Sequence, residues 1–148
     1  MIGNCQILAD SITPSGRITT FEIKAPRLFL YEYKSKHKES IVTLSNIAKV
    51  DTEWLISDIL TQNYVPDNQD KDNWISGRNK VIASVRSQIN GMSRTILNCQ
   101  LEPYAVTSAV ITCKNLNLDL IASVLHRMNI YKQSMAICAL TKIGRAHV

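Results

Sequence analysis

The segment Tyr104–Cys113 (YAVTSAVITC) constrains the fold more than any other. It is β-branched and apolar, and it follows directly on Pro103. Such side chains fit a pleated, buried surface, and the residue before a proline is pushed out of helical geometry, so a strand begins here. A buried strand needs partners. Residues 17–24 (RITTFEIK) supply one, because Ile18, Thr20 and Glu22 alternate with Thr19, Phe21 and Ile23. Residues 6–10 (QILAD) form the piece before it, across the turn Thr13-Pro14-Ser15-Gly16. There proline presets one φ and glycine permits the unusual one.

The remaining periodicity is helical. Pro26–Tyr33 reads as a helix with proline in its first turn, where a missing N–H does least harm, and it runs into the basic run Lys34-Ser35-Lys36-His37-Lys38. Asp51-Thr52 offers an N-cap for a short helix holding Trp54, Leu55, Ile59 and Leu60. Residues 61–76 are polar with one proline, and the spacing predicts a long surface loop there. Val81, Ile82, Val85 and Ile89 then make one apolar face of a helix starting near Ser76, closed by Asn90-Gly91 as a left-handed cap. A helix over Met92–Gln100 precedes the strand, and Leu118, Ile121, Leu125 and Met128 mark another after it. A last apolar stretch runs to Leu140. Strands and helices of this order, with no repeat and no linker, imply one α+β domain: a small, mostly antiparallel sheet packed with several helices.

Composition bounds the class of function. The 148 residues are 45% hydrophobic and 20% charged, with a net charge of +5, as expected of a globular chain that can build a core. No run has the length of a membrane span, and the first residues lack a signal-peptide pattern, so the expectation is a cytoplasmic protein. Cys5, Cys99, Cys113 and Cys138 form no C-x-x-C clip and have no histidine at a zinc-ligand spacing. They read as reduced, semi-apolar side chains, and no metal is expected. The basic balance is compatible with anionic ligands without requiring a nucleic acid.

Three stretches carry a family resemblance. Leu8–Glu22 (LADSITPSGRITTFE) with Pro26-Arg27 is similar to the opening strand pair and first helix entry of the flavin-dependent thymidylate synthases. Asn98-Cys99-Gln100-Leu101-Glu102-Pro103-Tyr104 resembles their Asn-Arg-x-Leu-Glu-Pro-aromatic helix end. Arg127 followed six residues later by Gln133 repeats a spacing of their final helical segment. The family signature, Arg-His-Arg-x-x-Ser-x-Asn-x-x-Ser-x-Arg, falls on residues 36–48. Lys36, His37 and Lys38 keep its charge pattern, whereas Ile41, Thr43 and Ala48 replace a Ser, the Asn and the closing Arg. Asn46 stands at the second Ser unless the register slips and Ser45 takes that place, and Cys99 replaces the Arg after Asn98.

The resemblance implies the thymidylate synthase fold and conversion of dUMP to dTMP. Methylenetetrahydrofolate would be the carbon donor, reduced FAD the hydride source and NADPH a co-substrate, in a homotetramer with sites between subunits. It assigns Arg127, Lys36, Lys38 and Ser45 to dUMP, with His126 as a register alternative to Arg127. It assigns His37, Asn98 and Asn115 to FAD, and no residue of the chain as a nucleophile. The residues alone also admit plainer roles. Lysines in such a run are commonly a solvated face, asparagines cap helices, and Arg127 suits a helix C-terminus. Arg94, one turn before Asn98, reads as a surface cation, and Gln133 suits a helix contact as well as a ligand.

Two further readings stay open. The substitutions at Ile41, Thr43, Ala48 and Cys99 fit a family-derived nucleotide- or flavin-binding or structural subunit that has lost catalysis, since lysine does not reproduce an arginine fork. A small basic nucleic-acid-binding protein built on KSKHK is the third, though no aromatic stacking set accompanies the charges. Residues 143–148 (IGRAHV) break the preceding pattern and read as a translated sequencing adapter, the alternative being a native polar tail. The expectation is a single domain over residues 1–142, continuing in the natural protein beyond Lys142.

Overall fold

The computed structural model describes residues 5–66 and 69–114. Strand β1 (Cys5–Thr13) turns through Pro14-Ser15 into β2 (Gly16–Pro26), and the pair runs antiparallel from Cys5↔Ile23 to Thr13↔Gly16. Gly16 has φ 132, a left-handed-side value that favours glycine, so the turn reading holds in its detail. Helix α1 (Arg27–Lys36) follows without a break, then the short strand β3 (Ile41–Leu44). Helices α2 (Thr52–Gln62), α3 (Lys71–Gln88) and α4 (Arg94–Leu101) come next, with a 3-10 turn over Glu102–Tyr104 leading into β4 (Val106–Lys114). The sheet order is β1-β2-β4-β3 with every pairing antiparallel. The chain is therefore α+β, with a four-stranded antiparallel sheet and four helices among the described residues.

Register explains which face is buried. Phe21 lies opposite Ile111, Ile23 opposite Ala109, and Val42 opposite Ile111 on the other side, so these side chains share one face. Helix α1 covers that face with Phe29, Leu30 and Tyr33. The opposite face is half-buried and polar, with Thr20 and Thr112 hydroxyls 2.8 Å apart across the ladder. A second core gathers Leu55, Ile56 and Ile59 of α2, Ile82 and Val85 of α3, and Leu97 and Leu101 of α4. Trp74 joins the two regions. It packs edge-on to Tyr64 and Tyr104, and its indole N–H donates to the Tyr64 carbonyl at 3.0 Å.

Local signals set the helix starts. Asp51 caps α2 through Trp54 N at 3.0 Å, Asp70 caps α3 through Asn73 N at 3.0 Å, and Ser93 caps α4 through Ile96 N. The Asp51 cap matches the sequence reading. The expected loop over 61–76 is shortened, because α3 begins at Lys71 rather than near Ser76. Trp74, read as part of a polar stretch, supplies the tertiary anchor that extends the helix, and Asp70 supplies its cap. Asn90-Gly91 is not left-handed. Among the described residues only Asn63, the C-cap of α2, and Gly16 have positive φ, and α3 closes instead through Gly91 N and Met92 N on the Gln88 carbonyl. Strand β3, which the sequence reading did not assign, buries only Val42 and is held by its ladder to β4. The expected helix over 117–128 and the stretch to Leu140 lie outside the described residues. No helix among the described residues is long and apolar enough to cross a membrane.

The two faces of the sheet predict unequal responses to truncation. Ile111→Ala, at a fully buried position, costs about 2–5 kcal/mol in denaturant unfolding. Ile41→Ala, at a position 68% exposed, stays within about 0.5 kcal/mol. Equal losses from the two variants contradict this assignment of faces.

Candidate functional site

The basic run at the end of α1 separates into two environments. Lys36 is exposed and pairs with Glu32 one turn earlier at 2.6 Å, and Lys34 and Lys38 are exposed. His37 turns inward. Its ring stacks on Tyr33 with centroids 4.4 Å apart, its Nδ1 lies 3.6 Å from Glu39, and its Nε2 is buried with no hydrogen-bond partner among the described residues. The turn is held by Ser40 N on the His37 carbonyl at 3.0 Å and by the Tyr33 and Ser40 hydroxyls. The geometry thus gives an outward lysine fringe and one inward imidazole with an unused nitrogen.

Burial beneath this turn alters two more groups. Burial, reinforced by the charge of Glu39, pushes the Cys113 thiol from its ordinary 9.0 to about 11. Burial also raises Tyr33, with Cys113 and Glu39 adding to the effect and the Ser40 hydrogen bond opposing it. Cys113 is therefore a protonated core thiol, as the plain reading of the cysteines expects, whereas Cys99 is exposed.

The other end of α1 holds a cluster that sequence reasoning missed. Arg27 is buried at the first helical position. Its Nη1 donates to the Ser45 carbonyl at 2.8 Å and to Thr107 Oγ1 at 3.2 Å, and its Nη2 to the Tyr31 hydroxyl at 3.3 Å. The Tyr31 hydroxyl in turn donates to Glu102 Oε1 at 2.8 Å. Arg27 Nε lies 3.3 Å from the same oxygen, close enough for charge attraction but not aligned as a hydrogen bond. The backbone N–H of Arg27 donates to the Ala105 carbonyl at 3.0 Å. A cation in the first turn of a helix opposes the helix dipole, and that mismatch was the available sign of a tertiary role.

Asn98 is fully buried and its amide is spent within the chain. Its Nδ2 donates to the carbonyls of Ile47 at 2.7 Å and Val50 at 2.9 Å, while its Oδ1 accepts from Thr52 Oγ1 at 2.8 Å. Asn98 thus braces the loop before α2 against α4. Ser45 is exposed, with its backbone N–H on the Ser108 carbonyl at 3.0 Å. At a rise of 1.5 Å per residue, Arg27 and Lys36 stand about 13 Å apart along α1. Ser45 and the lysines therefore lie at opposite ends of one helix. Asn115, His126, Arg127 and Gln133 lie outside the described residues. A shallow groove along α3, lined by Asp72, Ile75, Ser76, Asn79, Lys80 and Ala83, includes none of the residues singled out. No group of His, Cys, Asp and Glu among the described residues could hold a metal ion.

Compared with known proteins, the chain matches no family model and no curated sequence.

Two predictions follow from these environments. Asn98→Ala strands one buried and one half-buried carbonyl and a buried hydroxyl, so thermal or urea unfolding shows a loss of about 2–4 kcal/mol; a loss below about 0.5 kcal/mol, the range of ordinary surface changes, contradicts the bracing role. For Cys113 the folded form holds its proton above the pH at which the unfolded thiol releases it. Stability therefore falls as pH rises from about 9 to about 11. Cys113→Ala flattens that part of the profile, and an unchanged slope rules out the buried thiol as its source.

Proposed function

We propose that this chain is a flavin-dependent thymidylate synthase subunit with that family's fold, binding dUMP and FAD in a homotetramer. The observation that carries the reading is a convergence. The two stretches similar to the family, Leu8–Glu22 with Pro26-Arg27 and Asn98–Tyr104 with the strand it leads into, lie on neighbouring strands, β2 pairing with β4 from Ile18↔Lys114 to Pro26↔Val106. They then meet at the Arg27–Glu102 ion pair, which also reaches Ser45 of the signature segment. That motifs 70 or more residues apart in the chain meet at one ion pair supports the reading.

In this reading Arg127, Lys36, Lys38 and Ser45 bind dUMP, the cations holding phosphate through charge-assisted contacts. Because Ser45 and the lysines lie at opposite ends of α1, they meet one nucleotide from different subunits of the tetramer. His37 and Asn115 are the FAD residues of this reading; the His37 Nε2 has no hydrogen-bond partner among the described residues but is buried, so it reaches a polar group of FAD only if the ring turns outward. The donors of Asn98 are already engaged, so it acts through the loop it braces. When bound, FAD reduced at the expense of NADPH would supply the hydride, and methylenetetrahydrofolate would supply the carbon. The chain's own work is binding, orientation and electrostatic stabilisation of charge on the uracil. That chemistry belongs in the cytoplasm, where nucleotides are made.

One observation favours the second reading, a binding or structural subunit without catalysis. Ile41 and Thr43, where the family carries Ser and Asn, both stand exposed on β3. An isoleucine there offers no hydrogen bond to a ligand. Purified protein separates the readings. A yellow tetramer that binds dUMP and releases dTMP supports the first, and one that binds flavin and dUMP without turnover supports the second. Colourless protein that ignores dUMP sinks both, and salt-sensitive DNA binding without flavin points to the third. Within the first reading, Arg127→Ala weakens dUMP binding about 10- to 100-fold at unchanged flavin content. Unchanged dUMP affinity removes Arg127 from the site.

A further inference from the structure

Residues 45–50 form neither helix nor strand, yet four of their six carbonyls accept hydrogen bonds from side chains. Arg27 Nη1 holds Ser45 O at 2.8 Å, Asn98 Nδ2 holds Ile47 O at 2.7 Å and Val50 O at 2.9 Å, and Arg94 Nη1 holds Lys49 O at 3.2 Å. Asn46 Oδ1 accepts from Ala48 N at 2.9 Å, closing an Asx turn. The Ile47 side chain is buried beneath the loop, while Ser45, Asn46 and Lys49 are exposed. The loop's shape is set by donors on α1 and α4 together with its own Asx turn.

Arg27 is the unusual member of that set. Taking a guanidinium out of water is expensive, and a buried ion pair is weak evidence for stability, its best-attested use being to fix one arrangement among several. Here the charge is compensated by Glu102, itself partly exposed, and by Tyr31, whose ring centroid lies 5.6 Å from the guanidinium carbon. The planar fork spans Ser45 O and Thr107 Oγ1 on one side and Tyr31 on the other, which a lysine cannot reproduce. With Ser45 N on β4 and Ser45 O on Arg27, both backbone groups of Ser45 are fixed, and so is the Cα–Cβ direction from which its hydroxyl projects.

We infer that Arg27 is the positioning residue of the nucleotide site: through the Ser45 carbonyl it fixes the 45–50 loop, and it touches no ligand itself. The inference rests on the reading that Ser45 meets dUMP. It adds a residue and a mechanism that the signature comparison does not supply. It also explains why a cation occupies the helix end least favourable to it.

The test uses the full chain and dUMP as the probe. Titration of the unsubstituted protein comes first, and failure to bind dUMP sinks the nucleotide reading before any variant is made. Given binding, Arg27→Lys keeps the charge and loses the fork, and Arg27→Met removes both; the lysine variant keeps the test usable if the methionine variant does not fold. The expected result is faster hydrogen exchange at the amides of 46–49, by about tenfold or more, with slow exchange kept in β2 and β4. The dUMP dissociation constant rises about 10- to 100-fold, as for a contact misplaced by an ångström. Adding Ser45→Ala to Arg27→Lys brings little further loss, since the hydroxyl is already misplaced. Arg86→Ala, at an exposed pair with Glu53, changes neither readout. Exchange at 46–49 equal to that of the parent overturns the clamp. Faster exchange with unchanged dUMP affinity overturns the positioning role.

Discussion

The buried guanidinium of Arg27 is the contact on which the arrangement of the remaining elements depends. It sits where β2 passes into α1, and it reaches the end of β3 through Ser45, the start of β4 through Thr107, and the 3-10 turn through Glu102. Three stretches far apart in the chain, at residues 26–27, 45 and 102–107, are thereby held in one place. The sheet fixes the direction of its strands through the β2–β4 ladder, and helix α1 fixes the covered face through Phe29, Leu30 and Tyr33. Neither of these specifies where the loop after β3 must go. The side-chain donors of Arg27, Asn98 and Arg94 do that, because a loop without a ladder has carbonyls that only side chains or water can satisfy.

Much of the fold was legible where short-range chemistry and burial agree. Strand β4 is β-branched and buried on one face, so composition and periodicity both report it. The Asp51 cap and the Thr13–Gly16 turn depend on residues within four positions of each other, which is the range a sequence pattern can read. The misreadings share the opposite cause. Helix α3 begins early because Trp74 packs between Tyr64 and Tyr104, partners 10 and 30 residues away. Strand β3 is held by its pairing with β4 and buries one side chain, leaving almost no periodic trace. Asn90-Gly91 had the composition of a left-handed cap, but the Gln88 carbonyl already satisfies two amides there and the backbone stays in ordinary regions.

The candidate site was legible in part. The run Lys34–Lys38 announces charge, yet nothing in its composition tells that His37 turns inward onto Tyr33 while the lysines face water. Asn98 stands out in the sequence only through the resemblance, and its place in the fold explains why an asparagine suits the position. Three of its hydrogen bonds need two donors and an acceptor on one short side chain. Arg27 carried a local sign, a cation against a helix dipole, whose meaning depended on Glu102 and Ser45 being near. The helix N-terminus, the loop and the strand pair therefore act as one assembly, with Ser45 exposed on its surface.

That unity has a direct measure in a double-mutant cycle on unfolding free energy, using Arg27→Met, Glu102→Gln and the pair. If Arg27 and Glu102 form the joint described, the double variant loses less than the sum of the single variants. The coupling is then about 1–3 kcal/mol, in the range for residues in one ion-pair network. Additive losses, with coupling indistinguishable from zero, would mean that the guanidinium and carboxylate are neighbours without being partners, and the account of how these elements are held together would fail.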